Sequence, residues 1–311
     1  MDPRVLGGVF LGWSLGANDA ANVFGTAVSS SMVRYRTAVI LTAIFVVIGA
    51  LVEGMPGIRT LGSITPQSIN TAFFVSLAAA LTVTLMTIAE FPVSTSQAVV
   101  GGILGISLLR REIEWRSVFK VVMCWVGTPT GAALISFILY FLFSRLLINF
   151  HLHFLTYDRV MRRLLIVAGI YCAYALGANN VANVTGVFYR AGIMDASTAL
   201  LVGGLSIALG ALTYSKKVMY TVGLKIIPLD AFSALIAVLA EAITVHVYAI
   251  VGVPVSTSQA IVGAVVGIGF YKGVKTISVN TVKRIFLAWF LTPVVGAVFS
   301  VILGLIAKLR F

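Results

Sequence analysis

Long apolar segments separated by short polar gaps run along almost the whole chain. The clearest apolar runs, most of them close to the thickness of a membrane in length, are 37–52, 72–89, 118–143, 164–176, 231–251 and 285–306. A helix of about 20 apolar residues crosses the roughly 30 Å hydrocarbon core of a bilayer, because each residue rises about 1.5 Å. The pattern therefore predicts several membrane-crossing helices joined by short loops.

Two short polar strings interrupt these runs, and each occurs twice. The amide string is Gly-Ala-Asn-Asp-Ala-Ala-Asn at 16–22, and it returns as Gly-Ala-Asn-Asn-Val-Ala-Asn at 177–183. The hydroxyl string is Pro-Val-Ser-Thr-Ser-Gln-Ala at 92–98, and it returns unchanged at 254–260. Polar groups inside hydrocarbon are costly unless protein, water or a ligand satisfies them. A duplicated pair of such strings indicates one central site built from two halves, as in transporters.

The duplication extends over nearly the whole chain. Trp125 and the pair Thr128-Pro129 correspond to Trp289 and Thr292-Pro293, and the offset between equivalent positions stays between 161 and 164 residues. We therefore predict a first transmembrane repeat at 1–144, a short connector at 145–163 and a second transmembrane repeat at 164–311. Each repeat is expected to contain three helices, a break at the hydroxyl string, a short helix, a charged loop and a long helix.

The topology depends on the short helix after the break. If this helix completes a crossing, each repeat crosses five times and the halves are inverted; if it belongs to a re-entrant hairpin, the halves are parallel. Inversion is the commoner transporter arrangement for a site at the midplane. The predicted fold is an all-α polytopic membrane protein, with two inverted-topology repeats whose broken helices or re-entrant hairpins meet at a midplane site.

Composition supports a membrane protein and argues against nucleic-acid binding. Only 10% of the 311 residues are charged and 59% are hydrophobic, whereas soluble domains carry roughly 25% charged residues. The formal net charge is +12, but the Lys and Arg residues lie in the gaps between apolar runs, where membrane proteins place them to set orientation and meet anionic lipid. We expect a multi-pass protein of the cell membrane and no nucleic-acid partner.

The amide string carries groups suited to ions. Asn18 and Asn22 share a helix face because they are four residues apart, with Asp19 one step round. Gly16 frees the backbone, so we predict a break here, with Asn18 as N-cap of a half-helix that begins at Asp19. Such a start suits an anion, and the nearby oxygens suit a hard cation such as Na⁺. The alternative is a polar contact between helices.

The hydroxyl string predicts a helix start in each half. Pro92 ends one helix and fits the first turn of the next, and three consecutive hydroxyl residues with Gln97 come after it. The alternative is hydroxyls bonded to carbonyls of their own helix. Neither string contains Lys or Arg. An anion would thus be held by N–H dipoles, hydroxyls and co-bound cations, which is the thermodynamic basis of symport.

Three further carboxylates lie in or near apolar segments. A carboxylate near the bilayer centre costs about 2.5 kcal/mol or more on insertion scales, so it is functional by default. Glu90 lies two residues before Pro92, and Glu241 shares its segment with His246. Roles in ion coupling or gating are predicted for Glu90 and Glu241; the alternative is a buried hydrogen bond or a position at the lipid interface. Glu53, beside Gly54, is compatible with a loop.

The two copies of each string resemble the duplicated signature of the inorganic phosphate transporter (PiT) family over the full chain. The resemblance implies a phosphate symporter with inverted repeats, driven by Na⁺ or H⁺, and a homodimer. This chain has Ser96-Gln97 and Ser258-Gln259 where many relatives have Thr-His. The change removes a titratable group from each string and favours sodium over proton coupling. No cofactor is expected besides co-transported Na⁺.

On this basis each polar residue receives an expected role. The phosphate-binding residues are predicted to be Asp19, Asn180, Ser94, Thr95, Ser96, Ser256, Thr257 and Ser258. The sodium-binding residues are predicted to be Asn18, Asn22, Asn179, Asn183, Gln97 and Gln259. Asp19 is expected to accept a hydrogen bond from a protonated phosphate oxygen, which sulfate lacks, and Asn180 to donate to the anion. A sodium ligand is the competing role for Asp19.

Other functions are weighed against sodium–phosphate symport. Within the same family these are a proton-coupled phosphate symporter and a sulfate permease. An anion channel needs a continuous lined pore, whereas here the polar groups cluster at the two string pairs and the flanking segments are apolar. An enzyme is not expected, because the sequence contains no Walker string, no HExxH and no Ser/His/Asp set near either string.

Overall fold

The computed structural model of the chain describes residues 2–62, 68–88, 93–111, 113–149, 154–225, 229–273 and 279–307, and every regular element within them is helical. A 3₁₀ turn at Pro3–Val5 precedes the α-helices. Their bounds are α1 Leu6–Ser29, α2 Tyr35–Glu53, α3 Met55–Gly62, α4 Ile69–Ile88, α5 Thr95–Arg110, α6 Trp115–Asn149, α7 Phe154–Arg190, α8 Ala196–Lys225, α9 Ala231–Val251, α10 Thr257–Lys272 and α11 Val279–Ile306.

Seven of the described helices are long and apolar enough to cross a membrane, namely all or part of α2, α4, α6, α7, α8, α9 and α11. Helices α6 and α11 expose large apolar side chains such as Phe119 and Phe290. The helices α1, α5 and α10, which carry polar strings, are instead mostly buried. The protein is therefore a multi-pass integral membrane protein, and the predicted all-α polytopic fold is confirmed.

The two halves of the chain pack through equivalent, exchanged contacts. Helix α5 lies against α11, and α10 lies against α6. A Cβ added at Gly101 would stand 2.1 Å from the Pro293 carbonyl oxygen, and one added at Gly263 would stand 2.2 Å from the Pro129 carbonyl oxygen. Backbones approach this closely only where side chains are missing, as small residues allow between membrane helices. The predicted repeat thus has a counterpart in the packing, whereas its borders and its inverted orientation stay predictions.

The hydroxyl strings begin helices in both halves, as predicted. Ser94 is the N-cap of α5, and its hydroxyl accepts a hydrogen bond from the Gln97 backbone N–H at 3.3 Å. Ser256 is the N-cap of α10, and its hydroxyl accepts from the Gln259 N–H at 3.2 Å. A side-chain oxygen at the N-cap satisfies one of the free N–H groups of the first turn. Pro92 lies outside the described residues. Its equivalent, Pro254, lies two residues before the N-cap Ser256 and thus precedes the helix instead of standing in its first turn, where the sequence predicted it.

The predicted break at the amide strings is wrong. Helix α1 runs unbroken through residues 16–22, and α7 runs unbroken through residues 177–183. Asn18 is therefore no N-cap, and the backbone here offers no free N–H groups to an anion. The glycines serve packing instead, because an added Cβ at Gly16 would lie 1.9 Å from the Ile207 oxygen and one at Gly177 would lie 2.0 Å from the Val46 oxygen. The amide strings can therefore bind an ion through their side chains and not through backbone N–H groups.

The segment assigned to a connector is largely helical. Helix α6 continues through Asn149 and α7 starts at Phe154, so most of 145–163 belongs to the ends of these two long helices. Prolines inside α6 and α11 do not interrupt them. Next to each proline a threonine hydroxyl bonds the carbonyl four residues back, Thr128 at 2.6 Å and Thr292 at 2.7 Å. A hydroxyl bonded to a carbonyl of its own helix is a common arrangement for Ser and Thr in membrane helices.

Candidate functional site

The amide string of the first half meets the hydroxyl string of the second half. The Thr257 hydroxyl donates to Asp19 Oδ2 at 3.0 Å. Asn22 Nδ2 donates to Thr257 Oγ1 at 3.3 Å and to Ser258 Oγ at 3.1 Å. Because α1 is continuous, one helix face presents both side chains to the first turn of α10.

The second amide string makes the reciprocal contact with the first hydroxyl string. Asn183 Nδ2 donates to Ser96 Oγ at 3.0 Å and to Asn180 Oδ1 at 2.9 Å. Asn179 fixes the break before α10, because its Oδ1 accepts from the Val255 N–H at 2.9 Å and its Nδ2 donates to the Val253 carbonyl at 3.3 Å. The site therefore belongs to both halves, because Asn183 bonds across to the first repeat while Asn179 bonds within the second.

The two helix starts are also joined directly. The Ser96 hydroxyl, in the first turn of α5, donates to the Val255 carbonyl just before α10 at 2.9 Å. Asn18 lies at the edge of this network, where its Nδ2 donates to Thr87 Oγ1 on α4 at 2.8 Å. The structure thus places the starts of α5 and α10 side by side, with the amide strings packed around them.

Several polar atoms of this cluster have no hydrogen-bond partner among the described residues, although they are buried. They are Asp19 Oδ1, Asn180 Nδ2, Asn183 Oδ1, Thr95 Oγ1, Gln97 Oε1 and Gln259 Oε1. Leaving a buried donor or acceptor unpaired costs about 1–3 kcal/mol. A concentration of such atoms in one place is the expected property of a site that binds a small polar ligand.

The side chains of the cluster are neutral or negatively charged, and its positive charge comes from the N-terminal ends of two helices. Among the buried residues of the described chain, the ionisable acids are Asp19 and Glu241, and no Lys or Arg is among them. The N-termini of α5 and α10 supply free N–H groups and the positive ends of two helix dipoles. An anion can be held there, as at other helix N-termini, but no fixed cation neutralises it.

Of the two predicted coupling residues, only Glu241 lies among the residues that the structure describes. Glu241 lies in the middle of α9 and is fully buried. The Cys172 thiol lies against its carboxyl, and α9 contacts α1, which carries Asp19. Glu90 lies outside the described residues, so its role stays a prediction.

Sequence reasoning missed one polar contact beside the site. Glu53 is the last residue of α2, and its Oε2 is 2.6 Å from His246 Nε2 on α9. The other ring nitrogen, Nδ1, is 2.9 Å from the Tyr171 hydroxyl on α7. Each residue was visible as a polar group in an apolar segment, but pairing between residues 193 positions apart leaves no local signal.

Comparisons with known proteins agree with this geometry. A model described as "Phosphate transporter family" matches residues 15–300. A Methanocaldococcus jannaschii protein named "Putative phosphate permease" is 31% identical, over 95% of this chain and 94% of its own length. A Pyrococcus furiosus protein of that name is 29% identical, over 97% of this chain and 96% of its own length. A solved structure, "The sodium-dependent phosphate transporter", has a TM-score of 0.89 at 25% identity and covers 99% of this chain and 98% of its own. The resemblance based on the two polar strings is confirmed, and the chain belongs to the phosphate transporter family.

Proposed function

We propose that this protein imports inorganic phosphate by symport with Na⁺. The observation that carries the proposal is the meeting of the two halves at one buried cluster, in which Asp19 bonds to Thr257 and Asn183 bonds to Ser96. A solute site built from both repeats near the middle of a membrane protein is typical of secondary transporters. The similar solved structure is named a sodium-dependent phosphate transporter, which supports the choice of Na⁺.

In this proposal the phosphate lies at the starts of α5 and α10. The backbone N–H groups of their first turns and the hydroxyls of residues 94–96 and 256–258 donate to the phosphate oxygens. For this, the Ser96 and Thr257 hydroxyls turn away from the Val255 carbonyl and Asp19, to which they donate in this structure. Asn180 Nδ2, which has no partner among the described residues, supplies a further donor. Asp19 accepts the proton that phosphate keeps near neutral pH, so sulfate leaves this carboxylate unpaired. Sites of this kind discriminate strongly, because the wrong ligand leaves a buried polar group without a partner.

Sodium is assigned to the neutral oxygens around the anion. Gln97, Gln259 and Asn183 each have a buried side-chain oxygen with no donor among the described residues. The remaining members of the predicted set, Asn18, Asn22 and Asn179, surround the same cluster and already bond through their amides. Amide and carboxylate oxygens suit hard cations. A bound Na⁺ would offset the anion's charge, because no Lys or Arg is among the buried residues that the structure describes.

The decisive experiment is uptake of radiolabelled phosphate into proteoliposomes, with the sodium and proton gradients imposed separately. We expect uptake to follow an inward Na⁺ gradient at fixed pH. Equal uptake with choline in place of sodium would contradict sodium coupling, and uptake that follows only the pH gradient would identify a proton symporter. Sulfate as the preferred substrate would identify a sulfate permease.

Three further parts of the proposal, namely a carrier mechanism, inverted repeats and a homodimer, have tests of their own. Counterflow exchange of labelled phosphate distinguishes a carrier from an anion channel, because a channel does not concentrate label against a phosphate gradient. The inverted orientation of the repeats is testable by cysteine accessibility at the loops between helices from either side of sealed vesicles. The homodimer implied by the family resemblance is testable by light scattering of the purified protein in detergent.

A further inference from the structure

Glu241 is a buried carboxylate that the phosphate site itself does not use. Its exposure is 0%, and neither carboxyl oxygen has a hydrogen bond of good geometry among the described residues. The neighbouring Cys172 thiol is a weak donor. An ionised carboxylate in such a place is very costly unless a cation or a proton accompanies it.

The carboxylates of the two halves stand at non-equivalent positions. Asp19 corresponds to the neutral Asn180 in the second repeat, whereas the offset of 161 or 162 residues places a buried alanine, Ala80 or Ala79, opposite Glu241. Compared with the first repeat, the second repeat therefore lacks the carboxylate of the amide string and has a carboxylate at another position, Glu241. The two buried acids of the described residues, Asp19 and Glu241, lie on α1 and α9, and these two helices contact each other.

A second oxygen group that suits a cation lies beside Glu241 on α9. Thr244 comes three residues after Glu241 on the same face of the helix, and its hydroxyl, which donates to the Ala240 carbonyl, keeps its oxygen lone pairs for a cation. A carboxylate and a hydroxyl are hard oxygen ligands, as Na⁺ prefers.

We propose that Glu241 is a ligand of one co-transported Na⁺, which it binds together with the Thr244 hydroxyl oxygen on α9. The proposed sodium site is asymmetric, because a buried alanine stands at the position of the first repeat that is equivalent to Glu241. The proposal rests on the proposed sodium–phosphate symport and adds the residue that sets the number of sodium ions. Sodium here also removes the repulsion that two carboxylates would exert on a phosphate at the start of α10.

The test counts ions. Wild-type protein and Glu241→Gln are reconstituted, and uptake of ²²Na⁺ and labelled phosphate is measured together. We expect Glu241→Gln to carry one Na⁺ fewer per phosphate and to need about tenfold more Na⁺ for half-maximal uptake, because a charged ligand is lost. If the variant does not transport, equilibrium binding of ²²Na⁺ to the detergent-purified chain gives the same count and should also fall by one.

Two matched variants serve as controls. Glu241→Asp keeps a carboxylate and should keep the sodium count. Glu53→Gln removes a carboxylate that pairs with His246 at the end of α2, outside the cluster, and should also keep the count. An unchanged sodium count in Glu241→Gln, or a change confined to proton movement, overturns the inference. Phosphate uptake by the wild type that needs no Na⁺ refutes the proposed function instead, so the two failures are distinguishable.

Discussion

Replacing Gly16 by alanine should separate α1 from α8. The added Cβ would lie 1.9 Å from the Ile207 carbonyl oxygen and 3.0 Å from the Ala211 nitrogen, both backbone atoms of α8. Ordinary contact begins near 3.4 Å, so the two backbones must move apart by about 1.5 Å at this point. A backbone inside a helix cannot rotate away as a side chain can, and the whole contact between the helices is therefore disturbed.

The loss of stability expected for Gly16→Ala is larger than the gain that alanine brings through its higher helix propensity. Overpacking a tight contact costs about 1–3 kcal/mol, and a clash with backbone belongs at the upper end. Alanine is itself better than glycine in a helix by up to about 1 kcal/mol, which offsets part of this. Asp19, one turn further along α1, is 3.0 Å from Thr257 on α10, and a displacement of Asp19 away from α10 by only about 0.5 Å brings this hydrogen bond to its limit. Stability and phosphate binding should fall together.

Gly131→Ala is the matched control, because an added Cβ at this position on α6 has no neighbour within 4 Å. In thermal denaturation of the purified proteins in detergent, Gly16→Ala should melt about 5 °C or more below wild type, and Gly131→Ala at or slightly above wild type. Phosphate uptake should be lost only in Gly16→Ala. Equal melting temperatures and equal uptake for the two variants would refute the idea that backbone contact between the repeats positions the site.

Two more predictions concern the site residues. Asp19→Asn should relax the preference for phosphate over sulfate by about tenfold or more, while the dependence of uptake on sodium is kept. The anion preference is measured by competition of sulfate against labelled phosphate uptake. Lost sodium dependence with an unchanged anion preference would instead assign Asp19 to sodium. Ser94→Ala and Ser256→Ala should each weaken phosphate binding by about 1–3 kcal/mol, and glycine at either position, which keeps most of the cap, separates lost binding from a lost cap. If one alanine variant binds normally while the other abolishes binding, the two halves do not share one site.

The parts of the fold that could be predicted from the sequence are those with a local cause. Apolar runs predict membrane helices because the bilayer fixes their length. The proline and the hydroxyl residues after it predict a helix start in each half, and the structure places this start after Ser94 and Ser256, which are the N-caps. The equivalence of the two halves is visible because both strings return at nearly constant offset.

The incorrect prediction, a helix break at the amide strings, has a physical explanation. A glycine such as Gly16 or Gly177 can either loosen the helix backbone or allow the backbone of another helix to come close. The local sequence is the same in both cases, and only the position of the partner helix distinguishes them. The pairs Asp19–Thr257 and Glu53–His246 are likewise invisible in sequence, because each joins residues about 190 to 240 positions apart. Tertiary packing, which the pattern of one segment does not contain, determined these features.

The absence of a buried Lys or Arg in the described cluster bears directly on coupling. A fixed guanidinium would bind phosphate whether or not sodium were present, and the loaded carrier could then return without its cation. In the proposed symport, helix starts and neutral donors alone bind phosphate well only once Na⁺ has occupied the neighbouring oxygens. By linkage, Na⁺ must raise the affinity for phosphate by the same factor by which phosphate raises the affinity for Na⁺. The proposed role of Glu241 would strengthen this dependence, because without a cation beside it two buried carboxylates, Glu241 and Asp19, oppose the anion. In the proposed mechanism, coupling therefore results from these two carboxylates together with the lack of a buried Lys or Arg among the described residues.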